Sequence, residues 1–292
     1  MSAISQALAG VKEAEFGAYA AGPHIGKMLA TFGATVVHVE SHQRPDGFRA
    51  EYPPFKGGKP GPDRGGCFAF FNDSKYGVTL DLKTTPGVEL AQRLVGWSDI
   101  VIENMRPGVM ERLGLGYEAA RALNPRVVMI SSCNMGQTGP RAQTPGFGSQ
   151  LSALAGFCGL SGSPDGPPML LNGPYIDYIA ASLGGVAVLA ALDRQRRSGQ
   201  GAWIDLAQYE SGLMFVAGAL LNFHTTGAVV ERSCNNDPVA IPHDAYTCAG
   251  GQWVALSCWS DAEFRRLAMV LDRDDLAEDP RFADAESRRE NA

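Results

Sequence analysis

Residues 22–40 read GPHIGKMLATFGATVVHVE, and the reading of this stretch decides the fold. Gly22 to Phe32 carries a helical pattern, Gly33 turns the chain, and Ala34 to Val39 is rich in β-branched residues, so a helix leads directly into a strand. Towards the C-terminus the alternation repeats. A polar, Pro- and Gly-rich loop from Ser41 to Gly66 is followed by a strand over Gly77–Leu82. Then come a helix over Pro86–Trp97, with Pro86 suited to the first helical turn, and a strand over Asp99–Glu103. Helical pieces run to Leu123 and precede the apolar run Val127-Val128-Met129-Ile130. Short apolar strands alternating with helices specify an α/β fold, a Rossmann-like open parallel sheet with helices on both faces. The 35 glycines are spread along the chain, which implies many tight turns.

From Pro174 a long helix is expected, with Ile176, Ile179, Ala180, Leu183, Val186, Ala187 and Ala190 at helical spacing. Arg194, Arg196 and Arg197 gather at its C-terminal end, where they favour the macrodipole, before Gly199-Gln200-Gly201 stops it. A strand over Ala202–Leu206 and a helix from Gln208 to Phe223 complete a large domain, residues 1–225. Beyond Thr225 come a polar loop, a hairpin of Ala245–Cys248 and Trp253–Cys258, and a helix from Asp261 to Leu271. Residues 226–292 therefore read as the beginning of a smaller α+β domain. Tyr178 and Trp203 read as core aromatics.

The formal charge is −6, and Leu271 to Ala292 contains eight acids and four arginines, so most of the excess sits at the end of the chain. No basic field is present to attract nucleic acid or an anionic membrane. No run of about 18 apolar residues is evident that spans a bilayer, and Lys12, Glu13 and Glu15 interrupt the N-terminal apolar stretch, so no signal peptide is read. The expected location is the cytoplasm. The 6 cysteines form no CxxC pair and the 5 histidines are scattered, so neither a disulfide framework nor a metal site is expected. His38, alternating within its strand, reads as a buried or edge imidazole.

Neither GxGxxG nor GxxxxGK[ST] occurs, which argues against an NAD-dependent dehydrogenase or a P-loop enzyme. More informative is Leu171-Asn172-Gly173-Pro174-Tyr175-Ile176-Asp177-Tyr178, which puts one carboxylate in the first turn of a helix. Unpaired N–H groups and the positive end of the dipole are expected to keep Asp177 ionised. A held, ionised aspartate is a nucleophile toward a thioester or phosphoryl centre. The same placement equally suits an acid that only stabilises its helix.

A set of ordered segments carries a resemblance. They are Ala21-Gly22-Pro23 with Phe32 to Glu40, Phe71-Asn72-Asp73-Ser74-Lys75 with Val78 to Lys83, and Val101-Ile102-Glu103-Asn104-Met105-Arg106-Pro107-Gly108. Asn124-Pro125-Arg126 through to Gly136-Gln137-Thr138-Gly139-Pro140 completes the set. In this order they resemble the class III CoA-transferases, the group of formyl-CoA transferase and carnitine CoA-transferase. Pro167 to Asp177 looks most like the subgroup acting on aryl- or alkyl-succinates, the benzylsuccinate CoA-transferase type.

The resemblance implies coenzyme A as a substrate, delivered as an acyl-CoA thioester, and a carboxylic acid as acceptor. Asp177 falls at the place of the family's catalytic aspartate, and a mixed anhydride and an aspartyl-CoA thioester are the implied intermediates. Arg49, Lys75 and Arg106 match positions for the phosphates of CoA, and the Gly136–Gly139 loop is placed to supply N–H donors. A homodimer, interlocked in the family, or a heteromer with a related subunit is implied; the alternative function is a non-catalytic CoA-binding partner subunit.

Two departures stand out. Relatives commonly carry an acid where this chain has Gly148, within Pro145-Gly146-Phe147-Gly148; the racemases of the same fold carry a His-Asp pair there, so racemisation is disfavoured. Asn235-Asn236-Asp237-Pro238 stands where a glycine-rich lid is found in formyl-CoA transferase. The chain is also shorter than family members at its C-terminus, which leads us to expect a truncated chain with the C-terminal part of the family fold missing.

Overall fold

The computed structural model describes residues 6–291; the outer ends of the two domain ranges, residues 1–5 and 292, lie outside the described residues. The chain divides into two units, Met1–Phe157 with Leu170–Gly227, and Cys158–Met169 with Ala228–Ala292. The linear division at residue 226 assigned 158–169 to the large domain. The structure instead ties this excursion to the smaller unit, where the Arg232 guanidinium donates to the carbonyls of Gly159, Ser163 and Gly166.

In the large unit six strands, β1 (Lys12–Phe16), β2 (Thr35–Glu40), β3 (Tyr76–Thr79), β4 (Ile100–Glu103), β5 (Val128–Cys133) and β6 (Ala202–Ala207), form one parallel sheet. Its order is β3-β2-β1-β4-β5-β6, so the winding reverses between β1 and β4. At such a reversal the connecting loops diverge and leave a crevice at the C-terminal ends of the strands.

The helices are α1 (Ala21–Thr31), α2 (Gly66–Asn72), α3 (Thr85–Trp97), α4 (Val109–Arg112), α5 (Tyr117–Leu123), α6 (Gly148–Leu154), α7 (Phe157–Leu160), α8 (Tyr175–Ser198), α9 (Gln208–Phe215) and α10 (Ala217–Thr226). The sheet buries both faces. On one, Val36, Ile100, Ile102, Val128 and Ile130 pack against Ile25 and Leu29 of α1 and Ala181, Val188 and Leu192 of α8. On the other, Ala14, Phe16, Val101 and Met129 meet Ala91 and Val95 of α3, Met110 of α4 and Ala120 of α5. Each fully buried Ile contributes about 1.5–3 kcal/mol by leaving water. Thr84 starts α3 by accepting the N–H of Gly87 at 3.2 Å.

The central strand β1 has no counterpart in the expected elements. Its sequence, Lys-Glu-Ala-Glu-Phe, turns Ala14 and Phe16 to the apolar layer and Glu13 and Glu15 to the face under α1. Glu15 accepts from Lys75 Nζ on both oxygens at 2.9 Å and from His38 Nδ1 at 2.6 Å. Burial alone raises a carboxyl's pKa, but here Lys75 and His38 outweigh it and hold Glu15 below its usual range. Glu13 has no hydrogen-bond partner among the described residues; burial, reinforced by the charge of Glu15, pushes its pKa well above the usual carboxylate value and favours the neutral form.

Contrary to the sequence reading, α8 has the length and apolarity of a membrane span, 24 residues with a window of mean hydropathy 1.7. The fold uses them differently: Ile176, Ile179, Ala180, Ala181, Gly184, Gly185, Val188 and Leu192 are buried, and part of this stripe packs on the sheet and α1. Trp203, expected in the core, is 42% exposed. It lies on the edge strand β6, stacks on Tyr117 and donates its indole N–H to Ser131. Tyr178 is half-buried and stacks on Phe71.

The smaller unit pairs β7 (His243–Thr247) with β8 (Trp253–Ser257) as an antiparallel hairpin, followed by α11 (Asp261–Val270), α12 (Asp274–Glu278) and α13 (Ala285–Glu290). Buried Arg288 holds it together, donating to Asp261 and to the carbonyls of Ile241 and Phe282.

Candidate active site

Two cavities open at the C-terminal edge of the large unit's sheet. The larger, about 610 Å³, lies past the ends of β1, β2 and β4, with Val39, Leu80, Leu82 and Leu113 as apolar lining and Arg44, Lys83 and Arg106 as cations. The smaller, about 300 Å³, is lined by Cys133, Asn134, Pro145, Phe147, Gly148, Asp177 and Gln208. Ala18, Tyr19, Asn104, Met105 and Arg106 line both, so the two share a wall.

That wall is fixed by backbone recognition. Asn104 accepts the N–H of Ala18 at 2.9 Å and donates to the carbonyl of the same residue at 2.8 Å, joining the chain after β1 to the chain after β4. Tyr19 is held at φ 64, a left-handed conformation rare for an aromatic residue, with its N–H on Asp46 and its ring edge-to-face with Phe147.

Asp177 stands in the first turn of α8 and reaches the smaller cavity. Its environment differs from the expectation of a dipole-stabilised anion. Burial raises its pKa to about 7, and no side-chain hydrogen bond to its carboxyl is found among the described residues. Gly148, the first residue of α6, faces this carboxyl with no room for a side chain; a Cβ there would sit 2.7 Å from its Cγ and both oxygens. A half-charged, desolvated carboxyl in a cleft has the properties of a reactive group.

The expected CoA contacts separate into different fates. Arg106 is exposed, between the two cavities. Lys75 is not available: its side chain is 1% exposed and its ammonium is spent on Glu15, Asn72 and the carbonyl of Pro23. Arg49 grips both oxygens of Glu40, donates to the carbonyl of Pro62 and stacks on Phe68, so it anchors the loop after β2. Gly136 and Gly139 line neither cavity, and the N–H of Gln137 between them is taken by Asp205. Residues that sequence reasoning gave no role are Tyr19, Asn104, Phe147 and Gln208; Asn104, inside the Val101–Gly108 segment, and Phe147, beside Gly148, lay in segments already singled out.

The sequence profile of CoA-transferase family III matches residues 8–292. The chain belongs to CoA-transferase family III. This places it in the CaiB/BaiF class of acyl-CoA:carboxylate CoA-transferases. It is 37% identical to succinyl-CoA–D-citramalate CoA-transferase of Chloroflexus aurantiacus, over 96% of this chain and 69% of that protein. It is 32% identical to the succinyl-CoA–L-malate CoA-transferase alpha subunit of Chloroflexus aurantiacus, over 96% of this chain and 65% of the relative. The crystal structure of a CAIB/BAIF family protein from Brucella suis superposes with a TM-score of 0.90 at 31% identity, covering 99% of this family III chain and 75% of that one. The chain thus spans about two thirds of the length of these curated relatives.

Proposed function

We propose that this chain transfers CoA between carboxylic acids with Asp177 as the nucleophile. The observation that carries the reading is the pair of cavities sharing Arg106, with Asp177 in the smaller one. CoA lies with its nucleotide in the larger cavity, its phosphates on Arg106, and its thioester directed to Asp177. Arg44 and Lys83 line the nucleotide end.

An Asp177 oxygen attacks the thioester carbonyl carbon and expels CoA thiolate, leaving a mixed anhydride. The thiolate then attacks the aspartyl carbonyl, releasing the donor carboxylate and forming an aspartyl-CoA thioester. An acceptor carboxylate opens that thioester to a second anhydride, and thiolate attack on its acyl carbonyl yields the new acyl-CoA and frees Asp177. The anhydrides need a site that keeps water out, and the recess that raises the Asp177 pKa provides one.

The donor and acceptor are proposed to be dicarboxylic acids, the acceptor with an apolar substituent on a succinate-like chain. The names of the relatives carry succinyl-CoA with citramalate or malate, and Tyr19 and Phe147 offer an aromatic wall for the substituent. A related second chain as partner is favoured by the match to an alpha subunit and by exposed Val186, Met214, Phe215 and Leu221. Incubation with acyl-CoA followed by hydroxylamine or borohydride tests the mechanism: peptide mass spectrometry is expected to show one modified residue, Asp177. Turnover with Asp177 unmodified would sink it.

A further inference from the structure

Beneath the wall shared by the cavities sits a carboxyl that the proposed chemistry does not use. Glu103, the last residue of β4, is 2% exposed. One oxygen accepts the N–H of Met105 at 2.8 Å, and the other accepts Gln137 Nε2 at 3.2 Å. Ser131, its register neighbour on β5, favours the charged form of the carboxyl. Glu103 therefore joins two loops, the one carrying Asn104, Met105 and Arg106 and the one that follows β5. We propose that Glu103 is a positioning residue that sets the Arg106 loop for CoA and couples CoA affinity to pH. The inference rests on the reading of Arg106 as a contact of CoA.

One donor sits on each oxygen of the carboxyl, an arrangement that the carboxylate accepts in full and that a protonated oxygen, which must itself donate, disturbs. Protonation displaces one donor, and the Met105 amide is the one that fixes the path of the chain into Arg106. The groups facing Glu103 are anions or neutral. Asp205 of β6 and Glu111 of α4 are negative, and Cys133 of β5 is a thiol pushed up to about 12 by burial, then by Asp205 and Glu103. Burial first, then Glu111 and Asp205, raises Glu103 to about 7, so its charge changes within the range in which an enzyme works. Both oxygens of Asp205 accept the backbone N–H of Gln137, which pins the second loop independently of Glu103.

Isothermal titration of CoA into the chain from pH 6 to 8.5 tests this without requiring turnover. The dissociation constant of the wild type is expected to rise about three- to tenfold as pH falls through 7. In Glu103→Gln it should be about tenfold weaker at pH 8 and should lose the pH dependence that the wild type shows beyond it. Gln137→Ala, a milder change at a half-buried position, removes one donor and should move the inflection to higher pH. The inference is overturned if both variants keep the wild-type profile, or if their affinities fall by the same factor at every pH, as a merely structural loss would give. Arg106→Gln, titrated in parallel, separates the two readings. Wild-type affinity in that variant removes the CoA assignment itself and the inference with it, whereas weakened affinity there with unchanged profiles in the Glu103 and Gln137 variants overturns the inference alone.

Discussion

Gly148 faces the carboxyl of Asp177, so that the first residue of α6 and the first turn of α8 meet with no room for a Cβ between them. An acid at this place, which the family resemblance leads one to expect, has no space while Asp177 keeps its position. The closeness also accounts for part of the desolvation of Asp177, since backbone occupies the position where water or a polar side chain would stand.

Gly148→Ala is therefore expected to displace the Asp177 carboxyl, and a displacement of about 1 Å costs on the order of 10²-fold in kcat. Gly148→Glu should be worse, not better. Steady-state kinetics with a succinyl-CoA donor reads both, and a Gly148→Ala variant with wild-type kcat removes the argument for a fixed, crowded nucleophile.

Most of the alternation of strands and helices was legible, because Ala34–Val39, Asp99–Glu103 and Val127–Ile130 are apolar runs in a sheet covered on both faces. The central strand was not. Two glutamates in five residues erase the apolar pattern, and only the tertiary structure shows that Lys75 and His38, far along the chain, neutralise one of them. The same long-range pairing removed Lys75 from the site, while Arg49 was claimed by Glu40, nine residues away. Asp177 was legible by its place after Gly173-Pro174, but not its raised pKa, which depends on contacts such as that with Gly148.

Glu13 makes a test of that hidden strand. Its carboxyl is buried without a partner among the described residues, and an unsatisfied polar group of this kind costs about 1–3 kcal/mol. Glu13→Met, similar in volume, is expected to raise stability by that order. Because the folded-state pKa of Glu13 lies above its unfolded value, the wild type loses stability as pH rises above about 4.5. Denaturant melts should thus show the advantage of Glu13→Met growing from pH 5 to pH 8. A destabilised variant at both pH values argues against a neutral, unpartnered Glu13.

Lys75 and Arg106 are predicted to part company. Lys75→Met leaves Glu15 buried with only His38, a loss of about 3–5 kcal/mol of stability, while CoA affinity of the folded fraction is retained. Arg106→Gln touches an exposed side chain and should leave the melting temperature within about 1 °C, as surface changes do, while weakening CoA. Thermal melts paired with CoA titrations separate the two roles, and equal effects of both variants on both readouts would contradict the division between structural and ligand-facing cations.

For Asp177 the direction of the pH effects follows from its raised pKa of about 7. Attack requires the carboxylate, so kcat/KM should rise about tenfold per pH unit below 7 and level off above it, with Asp177→Asn inactive throughout. Stability runs the other way. The unfolded carboxyl ionises near 3.8 and the folded one near 7, so the native state loses stability progressively between these values and holds that deficit above them. Asp177→Asn carries no ionisable group and avoids the deficit. Its melting temperature is expected to match the wild type near pH 4 and exceed it by about 3 °C or more at pH 8. A variant no more stable than the wild type at pH 8 would mean that Asp177 is already ionised at little cost in the folded chain, and that its reactivity does not come from desolvation.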